Sequence, residues 1–291
     1  MGQRAFVGKI CMDQNSPKDY IQQTADCLHD TKQFILSVRH DINNELIQPV
    51  ITPRFIPTCS DQLLQGLGQL AKDFQLCHVQ SHISESKDEK LHFCLLGFFF
   101  CERDTEIFDK FGLLTSRTIV AHANHCTDED LKVLKQKGVG IAHCPLSNFY
   151  FANGCLPVKS LHEKYKLNVG LGTDVAGGYS PSMFNAMRNC VITSKLFGGD
   201  ADMDYKHALY LATIGGAKCL GIDSIIGTFE IGKEFDALLL GVESNSQIDI
   251  FDMDTLDDIF QKIMTLGDDR DIKRVWVRGR DVTIISPTSK L

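Results

Sequence analysis

The chain has 291 residues, of which 43% are hydrophobic and 23% are charged. These fractions are ordinary for a globular protein, and the length allows one large domain or one domain with a small appendage. The net charge of −7 argues against a strongly basic surface of the kind that binds nucleic acid or an anionic membrane, and we expect neither partner.

Strand-like and helix-like stretches alternate from the amino end to about residue 220. The apolar runs predict strands near residues 4, 49, 76, 118, 138 and 168. The helical spacing of apolar residues predicts helices over 18–40, 63–74, 127–137, 156–166, 181–196 and 204–220. Such alternation is typical of a parallel sheet covered by helices.

The pattern changes after Gly221. The stretch 227–240 predicts a turn and a strand, and two short strands are expected around Gly279. One helix is expected near 255–265. We therefore divide the chain into residues 1–225, which hold six β/α units, and residues 226–291, which form a small β portion.

Cysteine usage and the lack of several common catalytic motifs limit which residue types are candidates for catalysis. The eleven cysteines include no C-x-x-C pair, and several lie in apolar runs, so we expect buried free thiols in a reducing compartment. The chain has no phosphate-binding loop, no nucleophile elbow for a Ser-His-Asp triad and no Pro-Cys-x-x-Cys zinc signature. Histidines and carboxylates are therefore the remaining candidates.

Polar side chains follow successive predicted strands at the point where each strand ends. His82 and Glu85 follow the third strand, His122 ends the fourth, and Asp174 follows the sixth. In a (β/α)8 barrel the catalytic residues lie at the carboxyl ends of the strands. We therefore expect these four side chains to meet at one edge of the sheet.

The residue types suit a hydrolytic zinc site. Zinc binds imidazole nitrogens and carboxylate oxygens and supplies hydroxide near neutral pH, so His82 and Asp174 are candidate metal ligands. Glu85 is a candidate general acid and base, and Asp174 could also take a proton from the water. His122 is a candidate for ligation or for polarising the attacked centre. We expect His82, Glu85 and Asp174 to contact the substrate as well. Arg54 and Phe55 follow the second strand, where a guanidinium and a ring face can hold a planar substrate.

Each of these residues also has a simpler interpretation. His78 lies four residues before His82, as in a helical metal-binding pair, but the surrounding residues favour a strand in which it has a structural role. His125 is interpreted as a loop residue, and Asp174 alone would also fit a turn. His143 and the following Cys144 allow a nucleophile pair or a rigid loop that lines the pocket.

With these motifs the chain resembles the metal-dependent amidohydrolases, and within them the guanine deaminase family. The resemblance extends over nearly the whole chain. The motifs that carry it are 50–55 (VITPRF), 80–85 (QSHISE), 142–148 (AHCPLSN), 170–178 (GLGTDVAGG) and 227–240.

The resemblance implies a TIM-like (β/α)8 barrel with a β-sandwich, and zinc-dependent hydrolysis of guanine to xanthine and ammonia by a cytosolic homodimer. It implies one zinc ion per subunit, with His82 and Asp174 as ligands. Glu85 would be the proton shuttle, Arg54 and Phe55 would hold the purine, and His122 would lie at the attacking water.

Two features depart from the family pattern. No His-x-His pair occurs in the chain, so we expect that the family's opening segment, with two further zinc-binding histidines and the first two barrel strands, is missing. The barrel would then be truncated to about six β/α units, and this chain alone would bind zinc weakly and deaminate guanine slowly or not at all. In addition, residues 90–104 lack the polar face of the amphipathic helix expected there.

Two further functions stay open from the sequence. One is that of another amidohydrolase, a deaminase or chlorohydrolase acting on a different aminopurine, pyrimidine or triazine. The other is a non-catalytic dimerisation module. The pair Arg54 and Phe55 favours guanine over the first, and metal content distinguishes the second.

Overall fold

A computed structural model of the chain describes residues 2–87, 103–197, 199, 202–242 and 246–283. The unusual segment 90–104 therefore lies outside the described residues, apart from its last two positions. Among the described helices, none has the length and apolar character needed to cross a membrane.

The main sheet is parallel throughout, and its strand order is β1-β3-β4-β5-β6-β7 with β2 also paired to β3. Its strands are β1 (Ala5–Val7), β2 (Ile10–Cys11), β3 (Ile47–Pro53), β4 (His78–Ile83), β5 (Thr118–His122), β6 (Gly140–His143) and β7 (Asn168–Leu171). The sheet curls as part of a TIM-like α/β fold, so the prediction of a parallel sheet with six strand positions is confirmed.

The first predicted strand differs from the expectation because it is split in two. Both pieces pair with β3 in parallel, but residues 8 and 9 leave the ladder. At Gly8 a Cβ atom would lie 2.1 Å from the Oγ1 of Thr52 and 2.6 Å from the carbonyl oxygen of Val50. The two backbones therefore approach too closely there for a side chain.

Helices cover the sheet between the strands. They are α1 (Thr24–Ser37), α2 (Asp61–Asp73), α3 (Asp104–Lys110), α4 (Asp128–Lys137), α5 (Pro145–Tyr150), α6 (Val158–Glu163), α7 (Met183–Leu196), α8 (Tyr205–Tyr210), α9 (Gly216–Cys219) and α10 (Leu256–Leu266). The Thr127 side chain accepts a hydrogen bond from the Asp130 amide and caps α4, as its sequence predicts.

Two predicted helices differ from the expectation. The helix expected over 204–220 becomes α8 and α9 with a π-helical turn, Leu211–Gly215, between them. A Cβ atom at Gly215 would lie 2.6 Å from the carbonyl oxygen of Val169 on β7, so this turn packs directly on the sheet. The helix expected over 18–40 is shorter, because α1 begins at Thr24 and continues into the π-helical turn Val38–Ile42.

The core lies between the sheet and its helices. Buried strand residues such as Ile51, Val79, Val120, Ile141 and Val169 belong to one continuous apolar cluster. The expected buried thiols are also found: nine cysteines in the described residues are free, and seven of them are buried. This packing holds the strand ends in fixed positions relative to one another.

A second, antiparallel sheet follows the barrel portion of the chain. Its order is β10-β9-β8, with β8 (Ala237–Leu240), β9 (Ile272–Val277) and β10 (Arg280–Asp281). These strands and α10 fall where the sequence predicts them. Arg4, next to β1, forms ion pairs with Glu234 and Asp236 and so ties this sheet to the first strand.

Candidate metal centre

Three side chains converge at the carboxyl edge of the parallel sheet. His82, His122 and Asp174 each present a donor atom, and these atoms lie within 4.8 Å of one another. The two imidazole rings are stacked, with centroids 5.4 Å apart and an interplanar angle of 18°. Glu85 completes the group, because its Oε1 lies 3.7 Å from the Nε2 of His122. The four residues predicted to meet at this edge therefore do so.

The position of His122 depends on a break in strand alternation. In the register of β4 and β5, His82 pairs with Ala121 and Ile83 pairs with His122, so regular pleating would place the two histidines on opposite faces. His122 instead has a φ of 72°, and Ala123 a φ of 55°. This left-handed backbone turns the His122 ring toward His82, at a conformational cost that the surrounding structure has to offset.

Hydrogen bonds fix the tautomer of both imidazoles. The Nδ1 of His82 lies 2.5 Å from the carbonyl oxygen of Arg54, which can only accept, so Nδ1 carries the proton. The Nδ1 of His122 lies 2.7 Å from the Oδ1 of Asn148 and donates to it. A neutral imidazole with its proton on Nδ1 presents Nε2 as an acceptor, which is the arrangement that metal-binding histidines adopt.

The Nε2 of His122 is the clearest sign that a further group belongs here. His122 is 1% exposed, and within the described part of the chain its Nε2 has no hydrogen-bond partner. A buried acceptor without a partner is costly, whereas a metal ion or a water molecule held by a metal would satisfy it. The residues present therefore fit a metal ion: two imidazole nitrogens and a carboxylate, with a second carboxylate alongside.

The Asp174 carboxylate is held by a turn that the sequence encodes with glycine. Asp174 has a φ of 50°, and its carbonyl oxygen accepts a hydrogen bond from the Gly178 amide. A Cβ atom at Gly178 would lie 1.8 Å from the carbonyl oxygen of Thr173. The run of glycines after Asp174 thus lets the loop fold back tightly beneath the carboxylate.

A buried aspartate supports the turn that carries Glu85. Ser84 has a φ of 45°, and both its amide and its hydroxyl donate to the Oδ2 of Asp104 at the start of α3, at 2.8 and 3.0 Å. The Ser84 carbonyl oxygen accepts from the His125 amide, which links this turn to the loop after β5. His125 is accordingly a loop residue, as predicted.

Arg54 and Phe55 lie beside His82. The guanidinium of Arg54 lies over the ring of Phe55 at 5.2 Å, and that ring meets His82 edge-on at 6.5 Å. The Arg54 side chain is exposed and Phe55 is half-buried. These two side chains form a planar and cationic wall of the site, where the sequence predicts them to contact a substrate.

The remaining candidates have structural roles. The Nε2 of His78 is 2.8 Å from the Leu220 carbonyl oxygen, at the opposite end of β4 from the site's carboxyl edge. His143 is fully buried, and burial together with the nearby His122 lowers its pKa to about 3, so it is neutral. Burial and the carboxylates of Asp174 and Glu85 raise the pKa of the Cys144 thiol, which disfavours a nucleophile pair.

Sequence reasoning missed three supporting groups. They are the Arg54 carbonyl, the Asp104 carboxylate and the Asn148 amide. The Arg54 carbonyl accepts from the His82 amide, the His82 ring and the Ser81 hydroxyl. Of the three, only Asn148 carried a signal, since it lies in the short motif after His143.

Comparisons with known proteins agree with this arrangement. The sequence model of the Amidohydrolase family matches residues 1–282. Guanine deaminase from Dictyostelium discoideum is 40% identical over 286 residues, which are 97% of this chain and 63% of that protein. The chain therefore spans less than two thirds of that relative's length.

Solved structures extend the comparison to the fold. A guanine deaminase from C. acetobutylicum, with guanine bound in its active site, superimposes with a TM-score of 0.83 at 33% identity and covers 96% of this chain and 65% of its own. An adenosine deaminase from Xanthomonas campestris with bound zinc has a TM-score of 0.82 at 24% identity, covering 96% of this chain and 61% of its own, and shows the fold alone.

Proposed function

The chain belongs to the amidohydrolase family, and we propose that its metal centre takes part in the zinc-dependent hydrolytic deamination of guanine to xanthine and ammonia. The observation that carries the proposal is the convergence of two Nε2 atoms, both freed by hydrogen bonds at Nδ1, with the carboxylates of Asp174 and Glu85. This donor set is suited to a catalytic zinc with a reacting water beside it.

We assign the metal to His82 and Asp174. When bound, zinc supplies Lewis-acid chemistry that makes hydroxide available near neutral pH. The rigid link from the His82 ring to the Arg54 carbonyl orients the first ligand, and the turn at Gly178 orients the second. The proposal includes a single zinc ion per subunit and two further histidine ligands to it, as expected from the sequence.

Glu85 is proposed as the group that moves protons. Its carboxylate is 31% exposed, so it is reachable from the substrate side, and it lies next to the Nε2 of His122. Glu85 takes a proton from the attacking water and delivers it to a purine ring nitrogen as the water oxygen bonds to C2. Glu85 then carries the second proton of that oxygen to the amino group, which leaves as ammonia when its bond to C2 breaks, and the oxygen becomes the C2 carbonyl of xanthine. The Nε2 of His122 accepts a hydrogen bond from that water and so holds the water in line with C2 of the purine.

Guanine as substrate is supported by Arg54 and Phe55. A guanidinium fork matches the carbonyl edge of guanine, and a ring face supports the flat purine. The related proteins named above include a guanine deaminase with guanine bound. We also propose that the protein is cytosolic and homodimeric, which the resemblance implies; light scattering measures the second of these directly.

The test is an assay of the 291-residue chain with added Zn²⁺, following guanine absorbance, xanthine and ammonia. Adenine, cytosine and a triazine serve as alternative substrates, and the Arg54→Ala variant serves as the specificity control. We expect slow, zinc-dependent release of xanthine from guanine, with an Arg54→Ala KM that is roughly 10-fold or more higher. Faster turnover of another substrate, or zinc-independent turnover, would contradict the proposal.

A further inference from the structure

Asn148 lies between two buried histidines on the first turn of α5. Its side chain is buried, with 1% of the residue exposed, and its Oδ1 is 2.7 Å from the Nδ1 of His122. Its Nδ2 is 3.4 Å from the Nδ1 of His143. The backbone is held as well, because the Asn148 amide donates to the Cys144 carbonyl and its own carbonyl accepts from the Gly154 amide.

The chemistry of an amide group makes this arrangement directional. The Oδ1 atom only accepts and the Nδ2 group only donates. In the observed orientation Nδ2 faces the Nδ1 of His143, so the neutral ring of His143 accepts there and carries its proton on Nε2, a buried atom without a hydrogen-bond partner in the described part of the chain. Oδ1 is then the atom left to face His122, and it requires a proton on the Nδ1 of that ring.

The opposite orientation of the Asn148 amide would exchange the donor and acceptor roles of the two His122 ring nitrogens. With Nδ2 facing His122, the Nδ1 of His122 would have to accept, and its proton would move to Nε2. The buried Nε2 that faces Glu85 at 3.7 Å and Asp174 at 4.0 Å would become a donor instead of an acceptor. It could then accept neither a water proton nor a metal ion.

We propose that Asn148 is a positioning residue that sets the tautomer of His122, and that His143 serves the site by fixing the orientation of the Asn148 amide. Hydrogen bonds thus run from His122 to Asn148 and from Asn148 to His143, with no exposed member among the three. The inference about activity rests on the proposed function, but the tautomer itself does not.

The direct test is nitrogen NMR of the histidine rings in the unmodified chain and in Asn148→Asp and Asn148→Leu variants, without metal or substrate and near pH 8. A His122→Gln variant assigns the signals. We expect the proton of His122 on Nδ1 in the unmodified chain. Asn148→Asp keeps an acceptor for His122 and should retain that tautomer, while His143 changes to a proton on Nδ1. Asn148→Leu should shift His122 toward a proton on Nε2.

A second pair of variants separates a change of tautomer from an effect of misfolding. His143→Phe leaves Asn148 in place but removes the acceptor for its Nδ2, and should produce a mixture of His122 tautomers. Asn189→Leu, at a half-buried asparagine of α7, is the matched control and should change neither ring. A folded Asn148→Leu variant whose His122 tautomer is unchanged, or an unmodified chain with the proton on Nε2, would overturn the inference.

Activity provides a separate measurement. If His122 acts as proposed, Asn148→Leu should lower kcat by roughly 10- to 100-fold with little change in KM, and Asn148→Asp should recover part of that loss. A tautomer shift without any change in turnover would retain the structural inference and reject the role of His122 in the proposed reaction.

Discussion

The metal centre and the C-terminal sheet are held in place by different kinds of interaction. At the candidate metal centre the polar groups that support Glu85 and His122 are buried, as in the contacts of Ser84 with Asp104 and of His122 with Asn148. In the C-terminal sheet the polar contacts include ion pairs at the surface, such as that of Arg278 with Glu45, beside the part-buried pairs of Arg4 with Glu234 and Asp236. There Leu238 and Leu239 are 53% and 49% exposed.

The two regions differ in how much each polar contact contributes to the free energy of unfolding. A buried hydrogen bond is costly to leave half-made, because the remaining partner cannot turn to water, whereas an exposed ion pair contributes roughly 0–1 kcal/mol. Single substitutions at the metal centre should therefore have large and specific effects. Single substitutions among the surface pairs of the C-terminal sheet should have small ones.

The largest effect is expected for Glu85→Gln. The amide is nearly the same size but cannot move a proton, so turnover of guanine should fall by roughly 10²- to 10⁴-fold, whereas zinc affinity should stay within a few-fold. Steady-state kinetics and a zinc titration on the same preparation measure both. If the variant retains more than about a tenth of the activity, Glu85 does not have its proposed role.

His143 should make stability depend on pH. Its pKa is about 3 in the folded chain, which is below the ordinary histidine value. The unfolded chain therefore binds a proton that the folded chain does not, and the stabilisation is complete above about pH 6.5 and lost as the pH falls toward 3.

The expected slope from this one group is up to about 1.4 kcal/mol of unfolding free energy per pH unit. Urea unfolding between pH 7 and 4 should show a shallower loss in His143→Phe than in the unmodified chain. The exposed His29→Phe is the control. Equal slopes in all three proteins would show that His143 is not buried as a neutral ring.

An intermediate effect is expected for Asp104→Ala. It leaves the buried amide of Ser84 without its acceptor, which should cost roughly 1–3 kcal/mol of unfolding free energy. Asp104→Asn keeps an acceptor oxygen and should cost less. Urea unfolding of the two variants gives the comparison, and equal losses would mean that the contact with Ser84 contributes little.

The smallest effect is expected in the C-terminal sheet. Arg278 pairs with Glu45 and Glu234 at the surface, so Arg278→Ala should lower the unfolding free energy by less than about 1 kcal/mol and leave zinc affinity unchanged. The same urea experiment measures this. A loss of unfolding free energy as large as that of Asp104→Ala would contradict the proposed difference between the two regions.

The sequence was sufficient for the parts of the molecule that follow from periodicity. Apolar runs locate the strands, and parallel strands share a carboxyl edge, so the meeting of His82, His122 and Asp174 follows from their places after successive strands. The small antiparallel sheet and α10 were also predictable, since turn residues and helical spacing mark them.

The remaining features depend on geometry that one sequence does not reveal. The turn of the His122 ring comes from a positive φ at a residue that rarely adopts one, and alternation alone predicts the wrong face. The contact of Asp104 with Ser84 joins residues 20 apart. The break after β1 reflects the close approach of Gly8 to Thr52, which only the folded sheet creates.

The central claim, that the carboxyl edge of the sheet holds a zinc ion on His82 and Asp174, is tested most directly by zinc titration of the chain and of three variants. We expect saturable binding by the unmodified chain, a loss of affinity of roughly 100-fold or more in His82→Ala and Asp174→Ala, and less than about 10-fold in His122→Ala. Zinc binding that is unchanged by His82→Ala and Asp174→Ala, or no saturable binding by the unmodified chain, would contradict the claim.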